Sequence, residues 1–280
     1  MKQVAFQGEF GAFSHEAALA AGGPDVSCVP CQDFDALFGI VESGGVESGV
    51  VPVENTLVGS VAENLDRLHA SSLHAVAETL VRVEHCLISA TAERRLVDIN
   101  SVASHPVALA QCRGFFATHP HIRRVVSADT AGSVRELAEG RLGADAAIAS
   151  RLAAERYGCA VLRPGIEDHS TNYTRFLLVT RVHVPKMGPA KTSVAFTLSG
   201  GAGSLHEALG AFAARDLDLS WIESRPILGR PWEYRFYVDV REAPAAALAD
   251  ALDELEASGA GVKVLGRYHE APQPPAMAEG

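Results

Sequence analysis

The sequence predicts an α/β protein in two parts, an alternating strand–helix region followed by a smaller module of ferredoxin-like order. Three observations carry this. Strand-like and helix-like segments alternate through the first two-thirds of the 280 residues, the grammar of parallel sheets with crossover helices. The alternation comes in two runs, separated by residues 73–89, which predicts two lobes. Beyond about residue 190 the order changes to βαββαβ.

In order, residues 4–7 form a short apolar strand, and Gly8-Glu9-Phe10-Gly11 a turn. Ser14 is placed as the cap of a helix over 15–21. Residues 26–30 read as a strand. Asp33 caps a helix whose Phe34, Leu37, Phe38 and Val41 fall on one face. Residues 47–53 read as a third strand. The second run has strands at 102–104, 123–126 and 146–149, with helices at 106–118, 131–139 and 150–157. Residues 184–190 read as a linker. The last module opens with a strand at 191–198 and a turn, Gly200-Gly-Ala-Gly203. A helix carries Leu205, Leu209 and Phe212, and a strand spans 217–223. Trp232, Tyr234, Phe236, Val238 and Val240 alternate with polar residues, the period of a half-buried strand. Leu248, Leu252 and Leu255 mark a helix, and residues 262–267 a last strand. This divides the chain into 1–183, 191–270 and a disordered tail, 271–280.

Apolar residues make up 48% and charged residues 21%, as in ordinary globular proteins. With 24 Lys and Arg against 34 Asp and Glu the net charge is −10. That excludes a general nucleic-acid binder and requires any anionic substrate to meet a local positive site. No apolar run approaches a membrane span and the N-terminus lacks a secretory pattern, so the expected location is the cytoplasm. Five cysteines without a secretory signal fit reduced thiols. Cys28-Val-Pro-Cys31 has redox spacing but runs off a strand, so packing thiols are preferred. The histidines form no metal-ligand set.

Chemistry is expected at strand-to-helix turns, where helix N-termini offer unpaired N–H groups. Ser14, Ser104 and Thr130 sit at such turns, each most simply a cap. Gln111, seven residues after Ser104, would share its face on one helix. Glu54 and Asn55 end a strand as a polar turn. Asn172, Thr174 and Arg175 lead a polar loop into an apolar strand. Arg175 has two readings, a fork onto a ligand carboxylate or a partner for Asp168. These residues suit a small carboxylate ligand, with no metal and no organic cofactor.

Phe6-Gln-Gly-Glu-Phe-Gly-Ala-Phe-Ser-His-Glu-Ala-Ala18, Val51-Pro-Val-Glu-Asn55, Ser104-His-Pro106 with Gln111, Asp129-Thr-Ala131 and Asn172-Tyr-Thr-Arg-Phe176 together resemble the prephenate dehydratase family. Residues 191–270 resemble its phenylalanine-binding ACT domain, through Gly203-Ser-Leu205 and Glu223-Ser-Arg-Pro226. The resemblance implies a periplasmic-binding-protein-like catalytic region of two lobes around a cleft, and decarboxylative dehydration of prephenate to phenylpyruvate. It gives Thr174 the catalytic role. It gives Asn55, Ser104, Gln111, Thr130, Asn172, Arg175 and Phe176 substrate contacts, with Glu54 and Ser14 in support. Gly203, Ser204, Leu205, Glu223, Ser224, Arg225 and Pro226 become effector-binding residues for L-phenylalanine, in a homodimer or homotetramer. Two departures stand out. Ala12 occupies a position where many members carry threonine, and His206 one that is usually apolar or aromatic; solvent is the preferred surrounding for His206. The rival substrate is arogenate, alone or in a dual-specificity cyclohexadienyl dehydratase. A rival of another class is a non-catalytic amino-acid sensor, against which the intact Asn172–Phe176 motif argues.

Overall fold

Short β-branched and alanine-rich runs fold as strands, and the helices between them bury one apolar face each. The computed structural model describes residues 2–183, 190–198 and 200–272. Its elements are β1 (Gln3–Gln7), α1 (Phe13–Gly22), β2 (Ser27–Cys31), α2 (Phe34–Glu42), β3 (Ser48–Asn55), β4 (Gly59–Ser60), α3 (Ala62–Ala70), β5 (His74–Arg82) and β6 (Cys86–Ser89). They continue with β7 (Ser101–Ser104), α4 (Pro106–Ala110), α5 (Arg113–Thr118), β8 (Arg123–Val126), α6 (Thr130–Ala138), β9 (Ala146–Ala149), α7 (Arg151–Tyr157), β10 (Ala160–Arg163) and β11 (Tyr173–Thr180). The last are β12 (Lys191–Thr197), α8 (Ser204–Ala213), β13 (Asp218–Pro226), β14 (Tyr234–Arg241), α9 (Ala245–Ala257) and β15 (Gly261–Tyr268).

The chain divides into two compact units. The first comprises Met1–Leu37, Asn55–Val58 and Val81–Thr174, the second Phe38–Glu54, Gly59–Leu80 and Arg175–Gly280. This cut differs from the expected partition at residues 183 and 191. The chain passes between the units five times, at Leu37–Phe38, Glu54–Asn55, Val58–Gly59, Leu80–Val81 and Thr174–Arg175. The expected linker, apart from Ala190, and the tail from residue 273 lie outside the described residues.

In the first unit β1 and β2 pair in parallel, Val4 opposite Cys28. A separate sheet runs β10-β6-β9-β7-β8, with Leu87, Val102, Ile148, Phe115 and Phe116 in its core. Gly11 shows why the first turn needs glycine. Its φ is +92°, and a Cβ there would lie 2.6 Å from the Ala153 Cα of α7, a clash with backbone that no rotamer relieves. Ser150, the cap of α7, donates to the Gly11 carbonyl at 2.6 Å. The cap position of α1 is Ala12, which offers no side-chain hydrogen bond. Ser14 lies inside the helix, so the expected Ser14 cap is corrected, and the threonine-to-alanine departure is a missing cap.

Glu16, in the first turn of α1, has its pKa raised to about 7, chiefly by burial, with the Glu155 and Glu84 charges adding to it and Ser150 opposing it. A carboxyl with a raised folded pKa favours the fold while protonated. Its contribution is complete below the unfolded value near 4.5 and is lost as pH rises through about 7. Glu16→Gln is therefore expected to raise Tm at pH 8 and change it little at pH 4.5. Thermal unfolding of both proteins at the two pH values checks this, and equal shifts at both would refute it.

In the second unit the strand order is β13-β14-β12-β15-β5-β11-β3. Its first four strands, with α8 and α9, form the βαββαβ module. One face packs Val194, Phe196, Phe212, Val238, Val240 and Leu248. The half-buried reading of β14 is corrected. Tyr237, Val238, Asp239 and Val240 are all buried, because polar partners cover the second face. Trp232, read as the start of that strand, is 88% exposed with φ +69° in the preceding turn. The Cys28/Cys31 pair lies within β2, and burial pushes the Cys31 thiol up, against thiolate chemistry. Among the described residues no helix is long and apolar enough to cross a membrane.

Candidate functional site

Both ends of the Asn55 carboxamide are hydrogen-bonded. Its Oδ1 accepts from the Leu57 and Val58 N–H groups, both at 3.0 Å, which fixes the carboxamide orientation. Its Nδ2 then donates to Asn172 Oδ1 at 2.8 Å, Thr174 Oγ1 at 2.9 Å and the Tyr173 carbonyl at 3.1 Å. Two hydrogens serve three acceptors, so one bond is shared. The two segments are also stitched by Thr56. Its hydroxyl donates to the Thr171 carbonyl at 2.8 Å and accepts from Tyr173 N–H at 2.9 Å. Thr174 thus receives a hydrogen bond on its oxygen, and among the described residues no protein group accepts its own proton. The site lies at the end of a strand, because β3 runs on to Asn55 where a polar turn is expected from sequence.

Gln111 is reached through the same loop. The expected helix over 106–118 is two short helices, and Gln111 is the C-cap of the first. The break has a cause in Asp168. Its carboxylate accepts from Arg113 N–H at 3.0 Å and Gly114 N–H at 2.7 Å, starting α5 anew. The Asp168 N–H donates to the Gln111 carbonyl at 2.7 Å. Asp168 therefore caps a helix and does not pair with Arg175. The shared Ser104–Gln111 helix face is also corrected. Ser104 is fully buried at the end of β7 and donates to the Ile148 carbonyl at 2.7 Å. His105 caps α4 through Nδ1. Thr130 is the first residue of α6, and Asp129 caps that helix through Gly132 N–H.

His85, which sequence reading did not single out, contacts Gln111 at 2.8 Å. Spacing held no signal for it, because the pair is 26 residues apart and meets only through the fold. Asn172 is fully buried, and among the described residues its Nδ2 has no protein partner.

In the second unit Arg175 is bound by three carboxylates. Its Nε donates to Glu54 at 3.0 Å, and its Nη1 to Glu78 at 3.1 Å and Asp239 at 2.6 Å. Its guanidinium lies 5.4 Å from the Trp221 ring centre. Lys191 adds to Glu78 at 3.0 Å, and Ser193 donates to the other Asp239 oxygen at 2.5 Å. Surrounding carboxylates hold the guanidinium far above its usual range against the opposing pull of burial. The fork onto a ligand is thus replaced by an internal network. Phe176 is buried in β11 and serves packing. Gly203, at φ +91°, precedes Ser204 at the start of α8, and His206 is exposed as expected. At the end of β13, Arg225 pairs with Asp66 of α3 at 3.0 Å. Tyr237 donates to the other oxygen of Asp66 at 2.6 Å.

Comparison with known proteins follows this geometry. The family model described as prephenate dehydratase matches residues 4–183. The chloroplastic arogenate dehydratase/prephenate dehydratase 2 of Arabidopsis thaliana is 39% identical over 278 residues, 95% of this chain and 72% of the relative. A solved structure described as GqqA, a novel type of quorum quenching acylases, is 34% identical with TM-score 0.86, covering 97% of this chain and 99% of that one. The prephenate dehydratase of Arthrobacter aurescens in complex with L-Phe is 32% identical with TM-score 0.87, covering 99% and 93%.

Proposed function

The chain belongs to the prephenate dehydratase family, and from that premise we propose that it converts prephenate to phenylpyruvate for phenylalanine biosynthesis, with Thr174 as hydrogen-bond donor to the departing hydroxyl. The observation that carries this is the Asn55 Nδ2–Thr174 Oγ1 bond, which makes the threonine oxygen an acceptor and leaves its proton for the substrate. Loss of the ring carboxylate and hydroxyl yields an aromatic ring, so the driving force resides in the substrate. The barrier lies in expelling hydroxide, and a fixed donor at that oxygen acts as charge develops. Neutral donors suit the remaining oxygens of a dianion: the Gln111 amide and the first turn of α6 with Thr130. Thr174 acts as donor and not as ionised base, since threonine is a very weak acid and its oxygen is already an acceptor.

Acylase chemistry, suggested by one neighbour's description, needs a nucleophile beside a general base. Among the described residues the Thr174 oxygen has an amide donor and no carboxylate, imidazole or amine partner. The donor role is therefore favoured. For residues 191–270 the proposal is an ACT regulatory module that binds L-phenylalanine near Gly203 and Glu223-Ser-Arg-Pro226. The neighbour solved with L-Phe supports this. Self-association is proposed through the β13 side, where Ile222, Leu228 and Tyr234 are exposed. The proposed location is the cytoplasm, with the chloroplast location of the plant relatives as the alternative.

The deciding experiment compares turnover of prephenate and arogenate by the purified protein, with and without L-phenylalanine. Expected are faster phenylpyruvate formation than conversion of arogenate, inhibition by phenylalanine, and a measurable heat of phenylalanine binding. Arogenate as the better substrate would reassign specificity. Turnover of neither would refute the catalytic reading, and absence of both binding heat and inhibition would refute the regulatory one.

A further inference from the structure

We propose that His85 is a positioning residue for the dehydratase site: its ring holds the Gln111 carboxamide so that the NH2 end, and not the oxygen, faces outward toward the substrate. This rests on the assignment of Gln111 as a substrate contact.

The two ends of a glutamine carboxamide are nearly the same size and opposite in function. One donates two hydrogen bonds, the other accepts. A substrate with two carboxylates is served by the donor and repelled by the acceptor, so the site needs a device that chooses between them. Gln111 is already held at its main chain. Its N–H donates to the Val107 carbonyl at 3.0 Å and its carbonyl accepts from Asp168 at 2.7 Å. Only the side-chain torsions stay open, and His85 closes them with Nε2 2.8 Å from Oε1. Among the described residues no protein acceptor takes the Gln111 NH2 group.

The alternative arrangement flips the amide, so that its NH2 donates to Nε2 and the imidazole proton moves to Nδ1. His85 is 2% exposed, and its buried Nδ1 has no protein partner among the described residues. The flip would thus create a buried orphan N–H. Orphaned donors are rarer in proteins than under-satisfied acceptors. The Nε2–H tautomer with Oε1 as acceptor leaves only an unpaired Nδ1 lone pair, the cheaper defect.

The main chain of His85 is held on both sides: its backbone N–H donates to Glu167 Oε2 at 2.9 Å, and its carbonyl accepts from the Ile166 N–H at 3.0 Å. Glu167 is fixed in turn by Arg82 at 3.2 Å. Phe13 meets the ring edge-on at 5.7 Å. Burial lowers the pKa of His85 against the opposing effects of Gln111 and Glu167, which favours the neutral ring, and the bond to Gln111 selects its tautomer. A single fixed N–H is what an orienting group requires.

The test is a double-mutant cycle on the full chain, with His85→Leu, Gln111→Leu, the double variant, and His85→Gln as the conservative donor. His85→Leu and Gln111→Leu should each lower kcat/KM roughly 10–100-fold. The double variant should be no worse than Gln111→Leu alone, and His85→Gln should recover part of the loss. Nitrogen NMR of the wild-type imidazole should show the Nε2–H tautomer, and Gln111→Leu should shift its signals. Additive losses, a His85→Leu variant that loses stability at unchanged kcat/KM, a Gln111→Leu variant of normal activity, or an Nδ1–H tautomer would overturn the proposal. A wild-type protein that turns over neither prephenate nor arogenate would refute the dehydratase reading instead, and with it any orientation toward that substrate. The tautomer measurement would still decide whether His85 orients Gln111.

Discussion

Thr174→Val is expected to lower kcat by roughly 10²–10³-fold, the usual effect of deleting one donor aimed at developing negative charge. KM should change little. Valine keeps the β-branched shape, so the backbone of β11 and the Thr56–Thr171 and Thr56–Tyr173 bonds persist. What disappears is the hydroxyl proton and the acceptor for Asn55 Nδ2. The amide keeps Asn172 Oδ1 and the Tyr173 carbonyl, so no buried donor is orphaned and stability should hold. Loss of kcat at constant KM is the mark of an interaction made mainly in the transition state. Steady-state kinetics with a parallel melting curve checks this, and near-normal kcat would move the leaving-group role elsewhere.

Arg175→Lys is expected to destabilise the fold first and to affect substrate binding only through that. Glu78 and Asp239 have side chains 1% and 3% exposed. A lysine carries one nitrogen where the guanidinium reaches Glu54, Glu78 and Asp239 from two positions. At least one carboxylate then stays buried without its cation. Removing a partner from a buried pair costs about 3–5 kcal/mol, and the partial replacement by lysine should approach the lower end. Denaturant unfolding measures it. An unchanged midpoint with a raised KM would return Arg175 to a ligand carboxylate and reverse the assignment made above.

The order of elements was legible because apolar period and turn chemistry are local. Asp33 does cap α2, its carboxylate accepting from Ala36 N–H at 2.8 Å, and βαββαβ order follows from strand and helix patterns alone. What was not legible depended on contacts distant in sequence. The helix break at Gln111 is imposed by Asp168, more than fifty residues later. Ser104 was read as a cap because serine before His-Pro fits one, yet His105 takes that place and Ser104 turns into the sheet toward Ile148. The strict alternation in β14 suggested a wet face, since sequence cannot tell a polar residue in water from one in a buried network. The motifs mark Thr174 and Asn55, but the bond from Asn55 to the threonine oxygen joins residues 119 apart in sequence and exists only through the fold.

The carboxylate cluster around Arg175 also limits how this chain can change by descent. Asp239 bonds Arg175 and Ser193, and Glu78 bonds Arg175 and Lys191. Replacing Arg175 alone strands the buried Asp239 carboxylate, whereas a joint replacement of the pair by apolar residues of similar volume need not. With a typical total stability of about 5–15 kcal/mol, the one-step intermediates sit close to unfolding. The neighbouring sequence is free to drift around a cluster that is locked, not because each member is optimal, but because the route away from it runs through proteins that hardly fold.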